Sequence, residues 1–100
     1  MTVLAAPPPL TEARFMAQVI KLAELLGWRC YHTYRSDRSA AGFPDLVCLR
    51  GSRLLFAELK RERGKATADQ LTWLRELRAA NQEVYIWRPS DIEAISRILR

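Results

Sequence analysis

Residues 43–60 read FPDLVCLRGSRLLFAELK, two apolar runs separated by a glycine and a serine. Runs rich in valine, leucine and phenylalanine around such a dipeptide are typical of a β-hairpin, in which glycine supplies the positive φ of a two-residue turn. With Gly51 and Ser52 in the turn, the register of the whole hairpin follows. The pairs that it places on one face are Leu49 with Leu54, Val47 with Phe56, and Asp45 with Glu58.

The charged end of this hairpin is a candidate metal site. The Cβ atoms of Asp45 and Glu58 are expected about 5 Å apart, and side-chain alternation brings Lys60 to the same face. Two opposed carboxylates repel each other unless one pKa is raised or a cation lies between them. Mg²⁺ commonly takes one or two protein carboxylates, and a neighbouring lysine can orient a water. The alternative is an ordinary hairpin with three charges in solvent, and a one-residue slip in register would separate the pair.

The composition indicates one globular domain with a polyanionic partner. The chain has 100 residues, of which 49% are hydrophobic and 27% charged, and its net charge is +5. This excess of positive charge favours nucleic acid as a partner. Thirteen of the sixteen basic residues are arginine, the side chain best matched to phosphate. The alternative explanation for the arginines is the base composition of the source genome.

Nothing in the sequence is typical of a secreted or membrane protein. No apolar run approaches the roughly 20 residues that span a bilayer, and the N-terminus lacks the basic and apolar regions of a signal peptide. We therefore expect an intracellular, cytoplasmic protein. Cys30 and Cys48 lie in apolar, strand-like contexts and are expected to be buried thiols rather than a disulfide or a metal-binding pair.

The chain before the hairpin is expected to form a lead-in, a helix and a strand. Residues 1–10 have no periodic pattern and contain three consecutive prolines, which predicts a flexible segment before one domain over residues 11–100. Thr11 is the predicted N-cap of a helix that runs to about Leu26. Glu12 either extends the inward face of this helix toward the metal site or simply favours the positive helix end. A strand over 28–34 and a polar loop over 35–42 follow.

The chain after the hairpin is expected to form a helix, a strand and a last helix. Thr67 and Gln70 match a capping box for a helix that runs to about Ala80. Capping by itself accounts for Gln70, and a place beside Lys60 is the other interpretation. Residues 84–87 predict a short strand, and Ser90 or Asp91 caps the last helix. The residues that these two helices are expected to bury are Leu71, Leu74, Leu77, Ile92, Ile95, Ile98 and Leu99.

Together these elements predict an α/β fold with the order αβββαβα. The second hairpin strand and the strand over 84–87 are joined by a helix, so they are expected to be parallel with a right-handed crossover. Both faces of the hairpin are apolar away from its charged end, which requires helices on each side. The predicted architecture is a small mixed sheet flanked by helices on both faces.

Four segments resemble a known family of nucleases. The spacing from Pro44-Asp45 to Glu58-Leu59-Lys60 resembles the PD-(D/E)XK signature, which is short and often matched by chance. The segments around it, 38–46, 56–60, 64–70 with Trp73, and 84–91, make the chain similar to a VRR-NUC domain, the virus-type replication-repair nuclease. The resemblance runs from about Thr11 to the C-terminus, and small phage and prophage proteins of this family consist of the domain alone.

The resemblance implies a restriction-endonuclease-like PD-(D/E)XK core and a divalent-metal site. It implies Mg²⁺ or Mn²⁺ on Asp45, Glu58 and the backbone carbonyl of Leu59, with Glu12 completing the site. The residues that it places in catalysis are Asp45, Glu58, Lys60 and Gln70. Charge and position make further residues candidates for contacts to the DNA backbone, namely Arg35, Arg38, Ser39, Arg61, Arg63 and Lys65.

The implied function is a structure-selective DNA endonuclease. Stand-alone domains of this kind are similar to archaeal Holliday-junction resolvases, which act as homodimers in DNA repair, so branched DNA and a second copy of the chain are the expected partners. One alternative is a nuclease for flaps or single strands, or a module directed by a partner protein. A non-enzymatic alternative is a basic DNA-binding scaffold with a vestigial site.

Overall fold

The computed structural model describes residues 10–33 and 37–100. Its elements follow the predicted order, and the predicted α/β class is confirmed. The residues 1–9 of the predicted lead-in lie outside this description, whereas Leu10 packs against the core. None of the helices in the described ranges is long and apolar enough to cross a membrane. The elements are α1 (Glu12–Leu25), β1 (Arg29–His32), β2 (Leu46–Arg50), β3 (Arg53–Leu59), α2 (Ala68–Ala79), β4 (Glu83–Trp87), a 3₁₀ turn (Pro89–Asp91) and α3 (Ile92–Leu99).

The hairpin has the predicted turn and register. Gly51 has φ of +59°, and the ladder runs from the pair Arg50–Arg53 to the pair Leu46–Ala57. β2 begins three residues later than predicted because Pro44 has no N–H to donate to a ladder. Asp45 therefore lies immediately beyond the end of the strand rather than within it.

The four strands form one sheet in the order β1-β2-β3-β4. β1, β2 and β3 pair antiparallel, and β4 lies parallel to β3 after the crossover through α2. The predicted mixed sheet and parallel crossover are thus confirmed. Lys60 continues the β3–β4 pairing, since its backbone N–H donates to the Trp87 carbonyl at 3.0 Å.

One face of the sheet, called the inner face here, carries the hydrophobic core. Leu46, Cys48, Leu55, Ala57 and Leu59 point toward it and are 0–1% exposed. Helices α1 and α3 cover this face with a set of fully buried side chains, which are Phe15, Val19, Ala23, Ile95 and Leu99. Burial of this apolar surface is the main stabilising contribution to the fold.

The opposite, outer face is covered by α2 over β4 but less completely over β1, β2 and the start of β3. Tyr31, Leu49 and Leu54 lie there with 64%, 46% and 37% of their surface exposed, and they are called the outer patch below. Two of the residues expected to be buried are also exposed, Leu71 at 42% and Ile92 at 39%. Those two predictions were wrong because helical periodicity identifies a face of a helix but not what lies opposite each turn.

Candidate functional site

Asp45 is held at the open end of the hairpin by backbone groups of its two neighbours. The backbone N–H of Leu59 donates to Oδ2 of Asp45 at 2.9 Å. The Thr33 N–H donates to the Asp45 carbonyl at 3.0 Å, one pair beyond the end of β1. These two bonds fix Asp45 against both flanking strands although it lies outside the ladder. The side-chain bond also brings Asp45 beside Glu58, as the register predicted.

Glu58 is fully buried, and only one of its two carboxylate oxygens accepts a hydrogen bond from the described residues. Its Oε1 accepts a hydrogen bond from Nε2 of Gln70 at 3.2 Å, whereas Oε2 meets no donor among the described residues. Burial raises the pKa of Glu58 to about 9, and the neighbouring Asp45 carboxylate acts in the same direction. Glu58 therefore favours its protonated form at neutral pH unless a cation lies beside it.

Gln70 completes the predicted capping box and also reaches the candidate site. Its Oε1 accepts from the Thr67 N–H at 2.8 Å, and its own N–H donates to Oγ1 of Thr67 at 3.2 Å, which completes the capping box. The amide nitrogen of the same side chain is then free to donate to Glu58. A place beside Lys60 was the other interpretation, but the hydrogen bond of this amide goes to the Glu58 carboxylate instead.

Lys60 lies at the mouth of the site with its side chain 9% exposed. Its Nζ is 3.7 Å from Oε1 of Glu12, whose side chain is half exposed. Both residues line a cleft of about 390 Å³ whose other walls come from the first turn of α1 and the segment after β3. The cleft is lined by Thr11, Glu12, Lys60, Arg61, Gly64 and Lys65.

The donor atoms fit a hard divalent cation. Glu58 has a buried oxygen that receives no hydrogen bond from the described residues, and the Asp45 carboxylate lies beside it. With the Leu59 carbonyl, these groups would form an all-oxygen set of the kind that Mg²⁺ and Mn²⁺ accept. Within residues 10–33 and 37–100, no three acidic, histidine or cysteine side chains form a metal-binding group. Glu12 and Asp45 nevertheless line one cleft of about 280 Å³. The role of Glu12 as a further ligand stays a prediction.

The basic segment after β3, residues 61–65, lies beside this cleft. Arg61, Arg63 and Lys65 are exposed, as expected of contacts to a DNA backbone. The guanidinium of Arg88 fixes the segment by donating to the carbonyls of Arg61, Glu62 and Gly64 at 2.9, 3.3 and 2.6 Å. No pattern in the sequence predicts this function of Arg88, because it depends on β4 ending beside the segment.

The turn before Asp45 packs against α2 and is hydrogen-bonded to it. Nε1 of Trp73 donates to the Ala41 carbonyl at 3.0 Å, and the Phe43 ring packs edge-on against Trp73 with centroids 5.1 Å apart. Gly42 has φ of +91°, and a Cβ there would lie 2.5 Å from the backbone of Asp69. Sequence reasoning missed this contact, although an isolated glycine just before Phe43 was a usable signal.

Two of the predicted DNA contacts lie in the same turn. Arg38 and Ser39 are exposed there, whereas Arg35 lies outside the described residues. The structure thus brings Asp45, Glu58, Lys60 and Gln70 together and leaves Arg38 and Ser39 on the adjoining surface.

The architecture matches solved structures, although no protein-family model and no curated protein matches the sequence. Two similar structures are described as a VRR_NUC domain and a VRR_NUC domain protein. Each has a TM-score of 0.72, with sequence identities of 23% and 22%. The alignments cover 88% and 91% of this chain, and 92% and 87% of those chains. The chain has the VRR-NUC fold.

A more distant likeness extends to a resolvase. It is Hjc, a Holliday junction resolvase from the archaeal hyperthermophile Archaeoglobus fulgidus, with a TM-score of 0.56 and 22% identity over 76% of this chain and 67% of that chain. The VRR-NUC fold expected from the four sequence segments is thereby confirmed. In this fold Asp45, Glu58 and Lys60 lie together at one end of the two central strands, β2 and β3.

Proposed function

We propose that the chain is a divalent-metal-dependent DNA endonuclease that cuts branched DNA. The observation that carries this proposal is the assembly of Asp45, Glu58 and Lys60 on a VRR-NUC fold. Glu58 supports it further, because it is a fully buried carboxylate with an oxygen that lacks a donor among the described residues. A carboxylate so placed destabilises the folded chain unless a proton or a cation accompanies it.

The protein groups have separate tasks in the proposed hydrolysis. Asp45, Glu58 and the Leu59 carbonyl would hold Mg²⁺ or Mn²⁺, which would supply Lewis-acid activation of the scissile phosphate and of a water. Lys60 orients the attacking water or neutralises the charge that develops on the phosphate. Gln70 fixes the orientation of Glu58 through its 3.2 Å hydrogen bond. We propose in-line attack that leaves 5′-phosphate and 3′-hydroxyl ends.

Charge and position support DNA as the substrate. Arg61, Arg63 and Lys65 border the cleft that contains Lys60, and Arg38 and Ser39 lie on the turn before Asp45. Arginine and lysine at these positions suit the phosphates on either side of the cut. The preference for a four-way junction rests on the likeness to the resolvase, and a preference for flaps or single strands is the alternative outcome.

We also propose that the active form is a homodimer in the cytoplasm, which would be that of the bacterial host if the chain is phage-encoded. Two symmetric cuts across a junction require two active sites related by a two-fold axis. The outer patch supports a second copy as the occupant of this surface, since it exposes neighbouring apolar side chains on one face of the sheet.

A cleavage panel tests the proposed activity. The purified chain is incubated with a four-way junction, a 5′ flap, a splayed arm and linear duplex, each with Mg²⁺, Mn²⁺ or EDTA. Paired symmetric nicks on the junction alone are expected, with no cutting in EDTA. Lys60→Ala should reduce the single-turnover rate at least 100-fold, whereas Lys21→Ala, an exposed lysine far along α1, should leave it unchanged.

The same panel separates the alternatives. Cutting confined to the flap or splayed arm would establish the second nuclease class. Metal-independent binding without cutting on any substrate would favour the scaffold with a vestigial site. Cleavage by Lys60→Ala at the wild-type rate would show that the site is assigned wrongly.

A further inference from the structure

Cys30 and Cys48 lie directly opposite each other in the β1–β2 ladder. Their sulfur atoms are 3.6 Å apart, and both are free thiols. They are the chain's two cysteines, so an intramolecular disulfide has one possible connectivity. The sequence suggested two separate buried thiols, because it gave no register for β1.

The ladder places this pair where the two strands approach most closely. Thr33 and Asp45 continue the register of β1 and β2, and the Thr33 N–H donates to the Asp45 carbonyl. Hydrogen-bonded and non-hydrogen-bonded pairs alternate along an antiparallel ladder. Counting back from Thr33 and Asp45, the third pair, Cys30 with Cys48, is therefore non-hydrogen-bonded. The Cα atoms of such a pair lie about 4.5 Å apart, within the range that a disulfide spans.

We propose that Cys30 and Cys48 form a reversible disulfide when the folded chain meets a low-molecular-weight disulfide such as oxidised glutathione. The sulfur atoms need to approach by about 1.5 Å to reach bonding distance. Rotation about χ1 and a small adjustment of β1, which is an edge strand, supply this movement. The proposal concerns the inner face of the sheet and does not depend on the proposed nuclease activity.

The exchange proceeds in two balanced steps. Cys30 is partly exposed and Cys48 is buried, so Cys30 loses its proton first and its thiolate attacks one sulfur of the small disulfide. That disulfide breaks, one small thiolate leaves, and a mixed disulfide remains on Cys30. Cys48 then loses its proton and attacks the Cys30 sulfur, which expels the second small thiolate. Two protein thiols are oxidised, and one small disulfide is reduced to two thiols.

The surroundings make this reaction slow at neutral pH. Burial raises the pKa of both thiols, and for Cys48 the neighbouring Cys30 acts in the same direction. Little thiolate is therefore present at pH 7, and the rate of oxidation should increase as the pH rises. The disulfide once formed links β1 to β2 three ladder pairs from Asp45, so it holds the strands whose ends position that residue.

Intact-mass analysis and thiol titration test the proposal on the full chain. After incubation at pH 8.5 with oxidised glutathione, the chain should lose both free thiols and the mass of two hydrogen atoms, with no glutathione attached. Its Tm should rise by about 10 °C and return on reduction. The equilibrium constant for oxidation, approached from both directions, should be about 100-fold larger for the native chain than in urea.

Variants with one cysteine provide the control. Cys30→Ser and Cys48→Ser should each show no rise in Tm under the same treatment, and Cys30→Ser stays informative if the buried Cys48 variant folds poorly. Glutathione retained on Cys30, a disulfide-linked dimer, or native thiols that stay reduced while the urea-unfolded chain oxidises would each overturn the proposal. Equal equilibrium constants in buffer and in urea would do so as well.

Discussion

At the scale of single residues, Glu58 makes an unfavourable contribution to the stability of the fold when it is ionised. It is fully buried, one of its oxygens has no donor among the described residues, and its pKa is raised from the ordinary value of 4.5 to about 9. Between these two pH values the folded chain holds a proton that the unfolded chain has released. The contribution of Glu58 to the stability of the metal-free protein therefore falls as the pH rises from about 5 to about 9.

Glu58→Gln removes this penalty, because glutamine has the shape of the protonated glutamate. We expect its Tm in EDTA to exceed that of the wild type by several degrees at pH 8, and the difference to vanish near pH 4. Mg²⁺ should raise the Tm of the wild type but not of the variant, and the variant should not cut DNA. Thermal scans across pH, with and without Mg²⁺, measure all three effects.

The exposed Glu76 of α2 provides the matched control. Glu76→Gln should leave both the pH profile and the response to Mg²⁺ unchanged. A Glu58→Gln protein that is less stable than the wild type at pH 8 in EDTA would show that Glu58 is ionised in the folded, metal-free chain.

The sequence was sufficient to place Asp45, Glu58 and Lys60 together, since a two-residue turn fixes the register of every pair beyond it. It left the function of Gln70 undecided, because capping is encoded within α2 whereas the bond to Glu58 depends on the distance between that helix and the sheet. Arg88 was missed for a similar reason, since its three acceptors lie on a segment far from it in the sequence.

At the scale of elements, the turn before β2 and the first turn of α2 depend on each other through Gly42. A methyl group at this position would lie 2.5–2.7 Å from the backbone of Asp69 and Gln70. Gly42→Ala should therefore destabilise the chain by about 3 kcal/mol or more, from steric overlap and from the positive φ. It should also slow cleavage, because the contact between Gly42 and the start of α2 joins the turn that leads to Asp45 with the helix that carries Gln70.

Gly51→Ala separates the effect of steric overlap from the effect of a positive φ. Gly51 also has a positive φ, but a Cβ there would meet no atom of the described residues within 4 Å, so this variant should lose only about 1 kcal/mol and keep its cleavage rate. Urea unfolding and single-turnover cleavage of both variants provide the comparison. Equal losses would show that backbone strain alone limits position 42.

The basic segment 61–65 depends on β4 for its conformation. Arg88→Met removes three hydrogen bonds to carbonyls of this segment, and an unordered segment must be ordered again when DNA binds. We expect the Kd for junction DNA to rise roughly tenfold, with a smaller change in the cleavage rate at saturating DNA. Arg97→Met removes the same charge from an exposed position on α3, and an equal rise in its Kd would show that only net charge matters.

Element boundaries were predicted less well than element order, for physical reasons that particular residues show. β2 was expected to include Pro44, whose missing N–H ends the ladder, and α3 was expected to bury Ile92, which lies in its first turn beside the Pro89–Asp91 turn. The order of the elements follows from hydrophobic periodicity and turn residues, which can be read from the sequence. The boundaries of an element and the burial of its side chains depend on contacts with other elements, which the sequence does not show.

At the scale of the whole molecule, helices cover the two faces of the sheet to different extents, and this difference affects how two copies of the chain could assemble. The inner face is covered by α1 and α3, whereas Tyr31, Leu49 and Leu54 remain exposed on the outer face. A stable interface buries about 800 Å² per partner around an apolar centre, and the outer patch has the composition of such a centre.

Leu49→Glu tests whether a second copy covers this patch. Sedimentation equilibrium should show a dimer for the wild type and a monomer for Leu49→Glu, because a charge at the centre of an apolar interface is costly. Leu25→Glu is the control, because it adds the same charge outside the patch. Leu25 lies at the end of α1 and is 76% exposed. The monomeric variant should still nick a junction, but its paired cuts should become independent. A wild type that stays monomeric at all concentrations would refute the dimer while leaving the site at Asp45 and Glu58 untouched, because that site is built within one chain.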